Sequence, residues 1–124
     1  RPVRHFIGAL CEMEGYSEEE QESIALVITE ILNNSIEHGA TGEGDEIRIE
    51  LAVTPERFHF EVRDPGRGGI EFADGALDRA AHMPDLEEPR GRGLFLIRQH
   101  MDEMRVTYDP DEGTCMVVSK ARSS

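Results

Sequence analysis

Apolar residues recur every three to four positions across residues 17–39, where Ile24, Val27, Ile28 and Ile31 mark one face of a helix. Ser17 stands three residues before Glu20 in the pattern of a capping box, and Gly39 supplies a left-handed stop, so one helix is predicted over the whole stretch. A second stripe, Val3, Phe6, Ile7 and Leu10, predicts an opening helix from Pro2 to about Met13, broken at Gly15 and Tyr16. After Gly39, T-G-E-G-D reads as a flexible connection, and the period then changes from 3.6 to two. Ile47, Ile49, Leu51 and Val53 alternate with polar residues, as do Phe58, Phe60 and Val62, with Thr54, Pro55 and Glu56 as the turn between two antiparallel strands. Periodicity fades over residues 70–89, a long connection with a short helix expected around Gly75 to His82. Leu94, Leu96, Ile97, His100, Met101 and Met104 restore a helical pattern, and residues 105–108 and 114–119 read as a closing hairpin. Helices set among antiparallel strands predict an α+β fold: a two-layer sandwich with helices on one face of a mixed, mostly antiparallel sheet.

A chain of 124 residues supports one core of this kind, so a single domain is expected over residues 1–124. Thirteen basic against 26 acidic side chains leave a formal charge of −13, which repels polyphosphate backbones and argues against nucleic acid as a partner. No apolar run approaches the ~18 residues of a membrane span, so a cytoplasmic location off the membrane is expected. The chain opens at Arg1-Pro2 without a Met, which reads as a trimmed or excised domain. Cys11 and Cys115 lack metal-ligand spacing and read as free buried thiols of a reducing compartment, with a single disulfide left open.

Three stretches carry candidate chemistry. Glu30, Asn34 and His38 fall on one stripe of the central helix, at the border of its apolar face: a carboxylate, an amide and an imidazole able to orient a nucleophile and hold a hard cation. The second strand runs into Asp64-Pro65-Gly66-Arg67-Gly68-Gly69, where glycines permit positive φ and close approach of a ligand, and a carboxylate can accept from an exocyclic amine. Arg90-Gly91-Arg92-Gly93 opens the later helix, and a glycine-bearing helix start flanked by Arg suits an anion. The only lysine is Lys120, so a phosphate loop of the Walker type is excluded.

In this order, an E-x3-N-x3-H-G helix, a D-x-G-x-G strand end and a G-x-G helix start resemble the N, G1 and G2 boxes of the GHKL, or Bergerat-fold, ATPases. Within that superfamily the chain is most similar to bacterial anti-sigma-factor serine kinases. T-E-I-L-N-N-S-I-E-H-G matches their N box, and H-M-D-E-M is like a sequence often found in their last helix.

The resemblance implies binding of ATP with Mg2+, Asn34 as the metal ligand and Glu30 as the catalytic base or water-orienting carboxylate. It further implies that Asp64 binds the adenine amino group, Gly66 and Gly68 let the base approach, and Thr114 helps fix adenine. Gly91 and Gly93 would cradle phosphates, Arg90 or Arg92 would reach the terminal phosphate, and His38 would be structural or contact the nucleotide. The implied function is phosphorylation of a serine on an anti-anti-sigma (STAS-type) protein, coupled to sequestration of a sigma factor, with a homodimer as the assembly. Two alternatives accompany it: a non-catalytic nucleotide-binding regulatory module, and a histidine-kinase-type catalytic domain. The resemblance also implies a strand ahead of the opening helix and a dimer surface near it; the sequence given opens at that helix.

Overall fold

The computed structural model describes residues 2–67, 69, 73, 75, 81 and 92–122. Helix α1 (Pro2–Met13) buries Ile7 and Cys11 on one side and leaves Phe6 exposed. Gly15, at φ 86°, ends the first helical segment, since a left-handed turn there suits a residue without Cβ. Helix α2 (Glu18–Asn34) starts at the predicted capping box: Glu20 N donates to Ser17 Oγ and Ser17 N donates to Glu20 Oε1, each at 3.1 Å.

The end of α2 departs from expectation. The α-helix stops at Asn34 and widens into a π-helical turn (Ser35–Gly39), closed by Ala40 N donating to Ser35 O at 2.6 Å. Gly39 is not left-handed; among the described residues those with positive φ are Gly15, Gly44, Gly66, Gly69 and Gly113. Its lack of a Cβ serves packing instead, because a Cβ there would run into the Asp64 carboxylate.

Strands β1 (Arg48–Val53), β2 (Arg57–Asp64), β3 (Glu103–Asp109) and β4 (Gly113–Ala121) form one sheet in the order β1-β2-β4-β3. Every pairing among the described residues is antiparallel, so the parallel component of a mixed sheet is not found there. The register places Leu51, Phe60, Val118 and Met104 in one row and Ile49, Val62, Met116 and Val106 in the next. Both rows turn toward the helices, as the period-two pattern requires. The opposite face carries Arg48, Glu50, Glu61, Arg63 and Arg105.

Helix α3 (Arg92–His100) packs beside α2, burying Leu94 and Ile97. It is shorter than its apolar pattern suggested. Met101 lies just past the helix, its N–H donating to Ile97 O at 3.0 Å, and Met104 belongs to β3, opposite Val118. The residue just past the helix and one in a strand therefore contribute methionines to one core, and H-M-D-E-M spans the junction rather than a helix. Most of the short helix expected around residues 75–82 lies outside the described residues, although Gly75 and Ala81 are themselves helical.

The core joins Ile24, Val27, Ile28 and Ile31 of α2 to Phe58, Phe60 and Val62 of β2, with the two Phe rings 6.2 Å apart and nearly parallel. Cys11 and Cys115 are both buried and free. Burial pushes the Cys11 thiol up to about 11, with the charge of Glu20 adding to it, which leaves it an inert core residue. No helix among the described residues is long and apolar enough to cross a membrane.

Phe60 is fully buried at the centre of the sheet, so Phe60→Ala is expected to cost ~3–5 kcal/mol through lost burial and the remaining cavity. Urea denaturation followed by circular dichroism measures it; a cost under about 1 kcal/mol would show that the core collapses around the deletion.

Candidate nucleotide-binding site

Asp64 is the last residue of β2, and the pleat turns its side chain to the helix side, where it is buried. The carboxylate lies against Gly39, Oδ1 accepts from Gly66 N at 2.8 Å, and the Ser35 hydroxyl donates to the carboxylate as well. Burial raises its pKa above the ordinary carboxylate range, partly offset by the two hydrogen bonds, and the charge of Asp45 adds to the rise. Thr114 faces Asp64 across the β2–β4 ladder and is buried too, so the structure brings these two predicted residues together.

Gly66 sits at φ 74°, and a Cβ there would come within 3.0 Å of Gly113 Cα, Thr114 N and Tyr108 Cε1. Its glycine character is thus already required by the β3–β4 hairpin, apart from any ligand. Gly113, at φ 86°, is equally constrained, because a Cβ there would strike Asp64 O. Gly68, Arg90 and Gly91 lie outside the described residues, as does the side chain of Arg92.

At the other end of the site, Glu30 of α2 meets Gly93 in the first turn of α3. A Cβ on Gly93 would stand 3.2 Å from Glu30 Cδ and closer still to Oε2. Glycine at this point lets the carboxylate and the start of α3 share the space. Partial burial raises the Glu30 pKa, and the charge of Glu37 adds to the rise. A carboxylate shifted toward neutrality is better matched to accepting a proton near neutral pH.

Asn34 lies between these ends, one turn beyond Glu30, and its Nδ2 is buried with no hydrogen-bond partner. A buried amide N–H without an acceptor is costly, and a ligand acceptor such as a phosphate oxygen would satisfy it. No cluster of three or more acidic, His or Cys ligands occurs among the described residues. Mg2+ does not require one: it keeps waters and binds through one or two protein oxygens plus substrate phosphates. The Asn34 Oδ1, an amide oxygen one helical turn from Glu30, is a ligand of the type such a cation takes. His38 is displaced from the predicted stripe by the π-helical turn. Its side chain is 40% exposed, with Nε2 3.9 Å from Glu37 Oε2.

Residue-by-residue reading of the motifs passed over Ser35, Asp45 and Arg67. Ser35 had a visible signal, a polar residue four positions after Ile31 on the apolar face of the helix. The Asp45–Arg67 pair had none, because it joins residues 22 apart through two loops: Arg67 Nε and Nη2 donate to Asp45 Oδ2 and Oδ1 at 2.9 Å each. The T-G-E-G-D stretch, expected to be flexible, is held by this pair and by Gly42 N donating to Asp45 Oδ2 at 2.8 Å.

Because the folded state binds the Asp64 proton more tightly than the unfolded chain, this group loses stabilising effect as pH rises through its elevated folded value. Asp64→Asn removes that dependence. As pH rises above the ordinary carboxylate range the variant should gain thermal stability relative to wild type, measured by differential scanning calorimetry. A parallel pH profile for both proteins would show that Asp64 titrates normally.

The profile of the histidine kinase-like ATPase domain family matches residues 1–120. A serine-protein kinase RsbW of Listeria monocytogenes is 30% identical over 118 residues, spanning 92% of this chain and 74% of the relative. An anti-sigma F factor of Halalkalibacterium halodurans is 27% identical over 119 residues, spanning 95% of this chain and 81% of the relative. Among solved structures, the mycobacterial sensor histidine kinase MprB superposes with a TM-score of 0.58 at 16% identity, over 82% of this chain and 72% of that one, a likeness of fold. Sequence motifs, sheet topology and these likenesses agree: the chain belongs to the histidine kinase-like ATPase domain family, with sequence relatives among the bacterial anti-sigma serine kinases.

Proposed function

We propose that this chain is an ATP-dependent protein serine kinase that acts as an anti-sigma factor, phosphorylating a serine of an anti-anti-sigma protein and sequestering a sigma factor. The observation that supports the reading most is that one helix carries both ends of the site. Gly39 meets the buried Asp64 carboxylate, and Glu30, nine residues earlier, meets Gly93 at the start of α3. Four α-helical residues at 1.5 Å each and the shorter rise of the π-helical turn put these points roughly 12 Å apart, comparable with the reach of a nucleoside triphosphate from base to terminal phosphate. The names of the relatives, serine-protein kinase and anti-sigma F factor, supply the substrate and partner classes.

On this reading Asp64 accepts a hydrogen bond from the adenine amine, and Thr114 beside it helps orient the base. The free N–H groups at the start of α3 meet phosphate oxygens. Glu30 accepts the proton of the substrate serine as its oxygen bonds the γ-phosphorus; the bond to the β–γ bridging oxygen breaks and ADP leaves. Asn34 would hold Mg2+, which when bound neutralises charge on the phosphates.

Incubation with labelled Mg-ATP and anti-anti-sigma proteins from the same genome is expected to label a serine on one of them. Glu30→Gln, which keeps the contact with Gly93, should leave nucleotide affinity within about threefold and lower phosphotransfer by ~10²-fold. Asn34→Ala should lose Mg-dependent nucleotide binding and activity together. Tight Mg-ATP binding with no labelled partner would replace the kinase by a nucleotide-sensing module.

A further inference from the structure

We propose that Arg67 and Asp45 are positioning residues for base recognition, acting through Asp64 without touching the nucleotide; this rests on the reading of Asp64 as the adenine acceptor. Each of the two segments they join supplies one wall or donor of the Asp64 carboxylate. Residues 39–45 begin at Gly39, against which the carboxylate lies, and residues 66 and 67 begin at Gly66, whose N–H donates to Oδ1 at 2.8 Å.

Arg67 fastens these segments twice. Its backbone N–H donates to Gly39 O at 3.0 Å, and its guanidinium holds Asp45 with both oxygens at 2.9 Å. A two-pronged contact fixes orientation as well as distance, which a lysine ammonium would not. Asp45 is itself preorganised: its side chain is 9% exposed, Oδ2 also accepts from Gly42 N, and its own N–H donates to Gly42 O at 3.1 Å. Gly42 matches this closure, since a Cβ there would stand 2.9 Å from Asp45 Oδ2 and 3.0 Å from Arg67 Nη2.

The Arg67 side chain is 55% exposed, and ion pairs at such positions contribute little to folding. Its geometry therefore acts on local shape, holding Gly39 and Gly66 about Asp64. A carboxylate slightly out of place loses a directional hydrogen bond, and the loss falls on discrimination between bases that offer an amine and bases that do not.

The test compares ATP with inosine triphosphate, which carries a carbonyl oxygen in place of the adenine amine, and with inorganic tripolyphosphate. Calorimetric titrations use the whole chain as wild type, Arg67→Gln, Asp45→Asn and Asp64→Asn. The Arg67 and Asp45 variants are expected to lower the ratio of ATP to inosine triphosphate affinity about tenfold, with tripolyphosphate binding within about twofold of wild type. Asp64→Asn should abolish the preference. If it retains the preference, the adenine reading falls and the positioning role with it. If Asp64→Asn loses the preference while Arg67→Gln and Asp45→Asn keep the wild-type ratio, the positioning role alone is overturned. Should those variants unfold, Arg67→Lys, which keeps the charge and loses the two-pronged contact, supplies the same readout. The two triphosphates carry equal charge, so a falling ratio supports the clasp and a constant ratio refutes it.

Discussion

A carboxylate buried at the end of a strand is the constraint to which the rest of this site answers. Removing Asp64 from water is costly unless donors replace the water, and the neighbouring chain supplies them from two directions: the Gly66 amide in its own turn and the Ser35 hydroxyl from the central helix. Space must be cleared as well. Gly39 leaves room for the carboxylate and Gly113 for the Asp64 carbonyl, so two glycines far apart in the chain are small for the sake of the same residue. A side chain at Gly39 would press on the acceptor that the adenine reading requires, and one at Gly113 on the backbone that carries it.

Helix α2 links this constraint to the phosphate end. Its N-terminus is secured by a reciprocal capping box, its middle is held by fully buried Ile24, Val27, Ile28 and Ile31, and its end widens into a π-helical turn. The rigid part carries Glu30 and Asn34; the widened part carries Ser35 and Gly39 to Asp64. Wide turns of this kind are rare and lie frequently at functional sites. The unpartnered Asn34 Nδ2 beside the turn belongs to the same pattern, local stability given up where a ligand is to be met.

Two loops that look loose in sequence are ordered by partners remote from them. The T-G-E-G-D stretch is closed on itself by Asp45 and tied to the strand end by Arg67, and the turn between α1 and α2 is tied to the sheet by Tyr16 Oη donating to Thr54 O at 2.9 Å and by Arg122 donating to Gly15 O at 3.2 Å. The site therefore sits in a frame held at both ends of the sheet.

The sequence by itself determined the elements whose signals are local: the capping box, the extent of α1, the helical stripe of α2, and both hairpins, because side chains three or four apart on a helix and two apart on a strand share one face; of the α1 stripe, Ile7 is buried while Phe6 faces out and Cys11 packs inward. The three motifs were legible in the same way, since each is a short run with its own geometry. Tertiary structure decided what depends on residues far apart. Gly39 is a contact residue and not a left-handed stop, Met104 leaves the helical pattern to pair with Val118, and the π-helical turn displaces His38. Arg67 finds Asp45 only once both loops are folded. Periodicity reports which face a residue takes, but not which distant atom will occupy the space beside it; close packing alone settles that.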